Sequence, residues 1–173
     1  MSEPIIYNEV FSHEDFCTIL NKVSGPVWEF GHTSYPKGDA RFRLCTPYWK
    51  IDFSNDEFFT VHLLNKIQEK TNESFSLTHV YANGHTYGID GTFHQDGYTD
   101  DDRTFILYAM SKWDKEWGGY TSYRLSDDHV YSVYPAPNRA VYHRGEVYHT
   151  SGPISRQYPG LRVTVAWKLT LNK

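Results

Sequence analysis

Two segments of the sequence place a histidine two residues before an aspartate, a spacing at which both side chains can bind one metal ion. They are His13-Glu14-Asp15 and His94-Gln95-Asp96. With nine histidines in 173 residues, this composition would produce such a pair by chance about 0.6 times. The motif alone is therefore weak, and the local structure has to separate the two copies.

The first copy lies at the start of a predicted helix. Ser12 and Asp15 resemble a capping box, and apolar residues follow at helical spacing: Phe16, Ile19, Leu20 and Val23. On a helix, residues i and i+2 point about 200° apart and cannot share one ion. We therefore assign Asp15 to helix capping and His13 to the surface.

The second copy lies at the end of a segment, residues 87–96, that is predicted to be extended. In a strand, residues i and i+2 project to the same face, so His94 and Asp96 can chelate together. One more histidine would complete a two-histidine, one-carboxylate set, which leaves coordination positions open as non-haem Fe(II) oxygenases require. His129 lies in an Asp-Asp-His turn and is expected to be solvated, which leaves His143 and His149 as candidates.

A charged residue opens the last predicted strand. Arg162, Thr164, Ala166 and Lys168 alternate with Leu161, Val163, Val165 and Trp167, so the first set should share one face of the strand. The small side chains beside Arg162 leave room for a ligand. Because a guanidinium presents a planar fork of donors, such a ligand would carry a carboxylate, although an arginine at this position alone fits a surface salt bridge as well.

The elements that would position these side chains are two helices followed by strands. The second helix is predicted from near Ser54 to Thr71-Asn72, with an apolar stripe of Phe58, Val61, Leu64 and Ile67. Clusters of Gly, Pro, Asn and Asp then separate seven predicted strands, at residues 77–82, 87–94, 104–110, 120–124, 129–134, 139–143 and 161–171. This order predicts a mainly β (α+β) protein with helices packed on a barrel or sandwich.

Length and composition bear on the number of domains, the binding partners and the location of the protein. The chain suits one domain over residues 1–173, with helical support and a substrate loop in 1–75 and the β core in 76–173. The net charge of −4 gives no help to non-specific nucleic-acid binding. Cys17 and Cys45 indicate two reduced thiols. Without a signal-peptide pattern or a long apolar stretch, we expect a cytoplasmic monomer that does not enter the membrane.

Taken in order, several of these motifs resemble the prolyl 4-hydroxylase branch of the Fe(II)/2-oxoglutarate-dependent oxygenases. The matching segments are Tyr81-Ala-Asn-Gly84-His-Thr-Tyr87, His94-Gln-Asp96, Arg103-Thr-Phe-Ile-Leu-Tyr108, Trp117-Gly-Gly-Tyr-Thr121, the turn at residues 135–138, and His149 followed by Gly160-Leu-Arg162-Val-Thr-Val-Ala-Trp167. The resemblance covers roughly residues 77–169, which makes it far more specific than either His-x-Asp pair.

The resemblance implies a double-stranded β-helix (jelly roll) with supporting N-terminal helices. It implies that His94, Asp96 and His149 bind iron, that Arg162 and Tyr108 bind the distal carboxylate of 2-oxoglutarate, and that Tyr81 is near the metal end of this co-substrate. Dioxygen is then the oxidant, and ascorbate is a candidate reductant. The implied reaction converts 2-oxoglutarate to succinate and carbon dioxide while a C–H bond is hydroxylated.

Several alternatives stay open. The gap from His149 to Arg162 is thirteen residues, longer than is usual in the family, which leaves Arg156 as a competitor of Arg162. Arg156-x5-Arg162 also resembles a pattern of AlkB-type nucleic-acid demethylases, although the acidic net charge disfavours that substrate. A non-catalytic cupin-like metal or ligand binder is a further alternative. The resemblance favours an accessible proline in a protein or peptide as the substrate, ahead of free proline or another small molecule. The loop at residues 33–48 is a candidate substrate lid.

Overall fold

The computed structural model describes residues 3–173, in which ten strands form two antiparallel sheets that face each other. The strands are β1 (Ile5–Tyr7), β2 (Glu29–His32), β3 (Tyr48–Asp52), β4 (Phe75–His85), β5 (Asp102–Tyr108), β6 (Thr121–Ser126), β7 (His129–Val133), β8 (Ala140–Arg144), β9 (His149–Ser151) and β10 (Arg162–Leu171). The large sheet has the order β1-β8-β5-β10-β4-β3-β2, and the small sheet has the order β7-β6-β9. The expected jelly roll with N-terminal helices is confirmed.

The first helix, α1 (His13–Val23), begins as the sequence predicts. The hydroxyl oxygen of Ser12 accepts a hydrogen bond from the backbone N–H of Asp15 at 3.1 Å. The carboxylate of Asp15 lies 2.7 Å from His62 Nε2 and 3.6 Å from Lys66 Nζ. Ser12 therefore caps the helix, Asp15 holds the Ser12 hydroxyl group and pairs with the second helix, and the first His-x-Asp is not a metal site.

The second helix differs from its predicted stripe. A π-helical turn at Phe58–His62 precedes α2 (Leu63–Thr71). The wider turn changes which residues of this helix face the core. Phe59 and Leu63 are fully buried, while Val61 is 54% exposed. The predicted end is confirmed, because Asn72 adopts the left-handed conformation that terminates many helices.

The strand predicted at residues 87–94 is wrong. Gly88 has a φ of 83° and turns the chain, and the segment has no regular strand pairing. Only His94 forms an isolated antiparallel bridge, with His149. Conversely, the sequence predicts only helices and a loop in the first 75 residues, but β1, β2 and β3 lie there. These strands extend the two edges of the large sheet, β1 at one edge and β3 and β2 at the other.

Strand β10 lies at the centre of the large sheet, paired with β4 and β5. Its residues alternate as predicted: Val163, Val165 and Trp167 belong to the hydrophobic core, and the opposite side chains line a cavity between the sheets. Trp167 is fully buried and donates a hydrogen bond from Nε1 to the carbonyl oxygen of Phe59 at 3.0 Å. The helical layer is thereby fixed to the outer face of the large sheet.

Two further observations concern the described residues. Cys17 and Cys45 are both free. In residues 3–173, none of the helices combines the length and the apolar character needed to cross a membrane.

Candidate metal centre and ligand cavity

The structure brings His94, Asp96 and His149 together. One ligand atom from each lies within 4.8 Å of the others. His94 Nε2 lies 3.4 Å from Asp96 Oδ1, and His149 Nε2 lies 3.3 Å from Asp96 Oδ2. Two imidazoles and one carboxylate suit a divalent transition metal, and in residues 3–173 no other cluster of potential metal ligands of this kind is found.

Both histidines are oriented by the backbone. Nδ1 of His94 lies 2.8 Å from the carbonyl oxygen of Thr92, and Nδ1 of His149 lies 3.0 Å from that of Val147. These contacts place the proton of each neutral ring on Nδ1 and leave Nε2 free to bind a metal. Burial lowers the pKa of His149, which favours this neutral form.

Asp96 has two further polar neighbours besides the histidines. Thr104 donates its hydroxyl hydrogen to Asp96 Oδ2 at 2.9 Å, and the ammonium of Lys168 contacts the same oxygen. Burial alone would raise the pKa of Asp96, but Lys168 and His149 more than offset it and hold the pKa well below its usual range. The group is therefore a carboxylate that is fixed in position.

His143, the alternative third ligand, lies outside this group. Its Nδ1 lies 2.9 Å from the carbonyl oxygen of Arg144, and its ring centre lies 4.6 Å from that of His149, with the two rings tilted by 56°. Nε2 of His143 is buried without a hydrogen-bond partner, and burial lowers the pKa of the ring to about 3. A neutral His143 behind His149 can hold the ligating ring in place.

Arg162 lies in the cavity and is 2% exposed. Its Nε donates to the carbonyl oxygen of Gly119, and Nη2 donates to Thr121 Oγ1 at 2.9 Å. No carboxylate in residues 3–173 pairs with it. A buried guanidinium without an acid is costly unless an anion completes the site.

The ring of Tyr108 packs against the guanidinium group of Arg162. Its ring centre lies 5.4 Å from the guanidinium carbon. Its hydroxyl group donates to Thr121 Oγ1 at 2.7 Å and lies 3.2 Å from the carbonyl oxygen of Val133, and the residue is fully buried. Thr121, which the sequence did not single out as a site residue, therefore joins Arg162 to Tyr108 and lines the cavity itself.

Arg156 lies elsewhere. It is exposed, in a turn, and its guanidinium stacks 4.8 Å from the ring centre of Tyr87, whose hydroxyl oxygen it also contacts at 2.5 Å. Arg156 and Arg162 therefore do not share a strand, and the Arg-x5-Arg pattern has no counterpart in the fold.

The cavity extends from Arg162 to the metal-ligand group. All four inward side chains of β10 line it: Arg162, Thr164, Ala166 and Lys168. Tyr81, opposite Ala166 on β4, lines this cavity and also the open cleft beside it, and burial raises the pKa of its hydroxyl group. The arrangement places the two candidate histidine ligands at one end of the cavity and Arg162, a cation without an acidic partner, at the other.

His85 is a further cavity residue that the sequence did not single out. It pairs with Arg162 across β4 and β10, is 5% exposed, and leaves Nδ1 without a hydrogen-bond partner. Burial first, and then Arg162, lower its pKa to about 3. A neutral ring at this position avoids a second positive charge beside Arg162. Only its place in the Tyr81–Tyr87 segment could have drawn attention to it.

The open cleft beside the metal group is partly formed by the predicted substrate loop. Ser34, Pro36 and Lys37 of this loop line the cleft together with His32 of β2. The hydroxyl group of Tyr35 donates to the carbonyl oxygen of Phe93 at 2.8 Å and ties the loop to the segment that precedes His94. The loop therefore borders the entrance to the candidate metal centre.

Comparison by sequence finds no matching family model and no similar curated protein. Comparison by structure finds clear likenesses. A prolyl hydroxylase from Trichoplax adhaerens, in complex with a hypoxia inducible factor peptide fragment, is 14% identical with a TM-score of 0.71, over 96% of this chain and 83% of that one. A prolyl-4-hydroxylase from Pseudomonas putida is 16% identical with a TM-score of 0.67, over 98% and 92%.

A third similar structure is HygX from Streptomyces hygroscopicus with nickel, 2-oxoglutarate and hygromycin B bound. It is 10% identical with a TM-score of 0.68, over 96% of this chain and 82% of that one. The chain thus has the jelly-roll fold of the 2-oxoglutarate–Fe(II) oxygenases, prolyl hydroxylases among them. At these identities the likeness concerns the fold.

Proposed function

We propose that this protein is an Fe(II)- and 2-oxoglutarate-dependent oxygenase that hydroxylates a prolyl residue of a protein or peptide. The observation that carries the proposal is the cavity itself. His94 and His149 line one end of it, with Asp96 beside them at the adjoining cleft, and the buried Arg162, without a carboxylate partner, lines the other end.

The residues present fit the metal. His94 and His149 offer Nε2 atoms whose rings are fixed through Nδ1, and Asp96 offers a carboxylate that Thr104 orients. Three protein ligands leave positions open for a chelating co-substrate and dioxygen. Iron, when bound, supplies the redox chemistry that couples oxidation of a 2-oxo acid to hydroxylation of a C–H bond.

Arg162 fits the distal carboxylate of 2-oxoglutarate. Two of its donors are used by Gly119 and Thr121, which leaves the Nη1 side of the fork for a ligand. Tyr108 completes this end of the site by donating to the Thr121 hydroxyl oxygen. The co-substrate would lie along β10, over the small side chains of Thr164 and Ala166, with Tyr81 near its metal end.

The proline substrate has two supports. Two of the similar structures are named as prolyl hydroxylases, one of them with a bound peptide fragment. In this chain, the cleft that adjoins the metal group is lined by the aromatic rings of His32, Tyr48 and Tyr81, which suit an apolar pyrrolidine ring. HygX with hygromycin B bound favours a second candidate, a small molecule that enters the same cleft.

The test is turnover of 2-oxoglutarate followed by identification of the product. Protein loaded with Fe(II) in air is incubated with 2-oxoglutarate and a library of proline-containing peptides, and mass spectrometry records succinate and a gain of one oxygen atom. Both are expected from wild type and neither from Asp96→Ala. Succinate without an oxidised peptide would move the substrate to a small molecule, and no succinate under any condition would favour a non-catalytic binder.

A further inference from the structure

Lys168 is a second cation that the proposed function leaves without a role. Its side chain is 16% exposed and is the last of the four β10 side chains that face the cavity. It lies six residues after Arg162 on the same strand face, at the metal end. The two cations thus mark opposite ends of the space in which a ligand would lie.

The surroundings of Lys168 contain one acid. Within residues 3–173 its ammonium group pairs only with Asp96, a member of the metal-ligand group, and lies 5.7 Å from the ring centre of Tyr81. Lys50, which lies 5.2 Å from the same ring, differs because it has its own partner, Asp52, at 3.0 Å. Asp96 is also the only acid that lines the open cleft.

An ammonium group has three donors, and one acceptor oxygen on Asp96 cannot satisfy them. With a divalent ion bound, the negative charge of Asp96 is shared with that ion, and Lys168 adds a further positive charge beside it. A cation that is mostly shielded from water then lacks charge compensation. Its remaining donors are available to an anion that enters the cavity or the cleft.

We propose that Lys168 binds a second carboxylate, next to the metal ligands and opposite the one held by Arg162. This inference rests on the proposed function and extends it. The carboxylate has two sources: the group adjacent to the carbonyl carbon of the 2-oxo acid, or an acidic group of the oxidised substrate. In the first case Lys168 contributes affinity for every 2-oxo acid, and in the second it favours substrates that carry an acidic group.

The experiment measures binding without turnover. The whole chain is loaded with saturating Mn(II), and calorimetry gives dissociation constants for wild type, Lys168→Met, Lys168→Arg and the control Lys115→Met, which changes an exposed lysine in a separate short helix. The probes are 2-oxoglutarate and 2-oxopentanoate, which lacks the distal carboxylate. With 2-oxoglutarate present, N-acetyl-L-proline and N-acetyl-L-prolinamide are the second pair. Mn(II) affinity is measured separately.

If the carboxylate belongs to the 2-oxo acid, Lys168→Met weakens both 2-oxo acids about tenfold or more, because a charged hydrogen bond is lost. If it belongs to the substrate, the same variant weakens N-acetyl-L-proline by that factor and leaves its amide unchanged. In either case Lys168→Arg restores part of the affinity, and Lys115→Met has no effect.

Unchanged affinities in Lys168→Met for every carboxylate probe would overturn the inference. So would a change confined to Mn(II) affinity, because Lys168 would then only position Asp96. These results differ from failure of the proposed function, in which wild type itself would not bind 2-oxoglutarate in the Mn(II)-loaded state.

Discussion

His94 and His149 are paired through their backbones. The N–H of each donates to the carbonyl oxygen of the other at 3.0 Å, and their ring centres lie 4.5 Å apart. This single bridge attaches the irregular segment before Asp96 to the end strand of the small sheet. Two ligands distant in sequence are thereby held at a fixed separation, which is what a chelating site requires.

The metal-ligand set is tested by single alanine variants. His94→Ala, Asp96→Ala and His149→Ala should each lower Mn(II) affinity by about tenfold or more, because each removes one of three protein ligands. The measurement is calorimetric titration of Mn(II), with circular dichroism to verify folding.

His143→Ala is the matched comparison for His149→Ala, since the centres of the two rings lie 4.6 Å apart. It should retain Mn(II) binding. The opposite pattern, with binding kept in His149→Ala and lost in His143→Ala, would transfer the third ligand position to His143.

The two arginines are compared in the same way. Arg162→Met should weaken 2-oxoglutarate binding to the Mn(II)-loaded protein by about tenfold or more, because the distal carboxylate loses a charged partner. Arg156→Met should leave it unchanged, as Arg156 is exposed against Tyr87. Loss of affinity in Arg156→Met alone would show that the assignment to Arg162 is wrong.

Thr121 is expected to matter for stability. Its hydroxyl oxygen accepts hydrogen bonds from both Arg162 and Tyr108. Thr121→Val removes the acceptor of the Arg162 Nη2 donor, while the Tyr108 hydroxyl group keeps only the carbonyl oxygen of Val133, so the variant should lower the free energy of unfolding by about 1–3 kcal/mol. Thr121→Ser keeps the hydroxyl group, so its free energy of unfolding, measured by urea denaturation, should fall by less. Equal losses in the two variants would mean that the methyl group, and not the hydrogen bonds, carries the effect.

The pH dependence of stability should reflect His85. Its pKa is lowered to about 3 in the folded protein by burial, so between that value and the ordinary pKa of about 6.5 only the unfolded chain binds the proton. This contribution to stability is present above pH ~6.5 and is lost as the pH falls toward 3.

Urea denaturation of the metal-free protein at pH 7 and at pH 4.5 measures this loss. His85→Gln cannot titrate and should lose less stability than wild type over this interval, by on the order of 2 kcal/mol. Identical losses in wild type and variant would exclude the depressed pKa.

Local signals predicted the parts of the fold that depend on local physics. The Ser12 cap, the end of the second helix at Asn72 and the alternating faces of β10 are confirmed, because capping, a left-handed residue and strand alternation are each determined by nearby residues. The π-helical turn was missed, since its phase shift follows from packing of Phe59 against the core.

In the candidate site, too, the sequence predicted what depends on nearby residues and missed what depends on distant ones. Same-face geometry drew attention to His94 and Asp96, yet the segment before them is a loop whose course depends on a bridge to His149, far along the chain. The contacts of Thr121 with Arg162 and of Lys168 with Asp96 arise only because separate segments of the chain approach each other. No spacing in the sequence could have placed Thr121 beside Arg162 or Lys168 beside Asp96.

The central claim is that one cavity holds a metal ion and 2-oxoglutarate together. Calorimetric titration of 2-oxoglutarate into metal-free and Mn(II)-loaded protein tests it most directly. The account predicts one bound 2-oxoglutarate per chain in the Mn(II)-loaded protein and an affinity at least about tenfold lower without metal, because the metal chelates one end of the molecule. Equal affinity in the two states, or no binding in either, would contradict it.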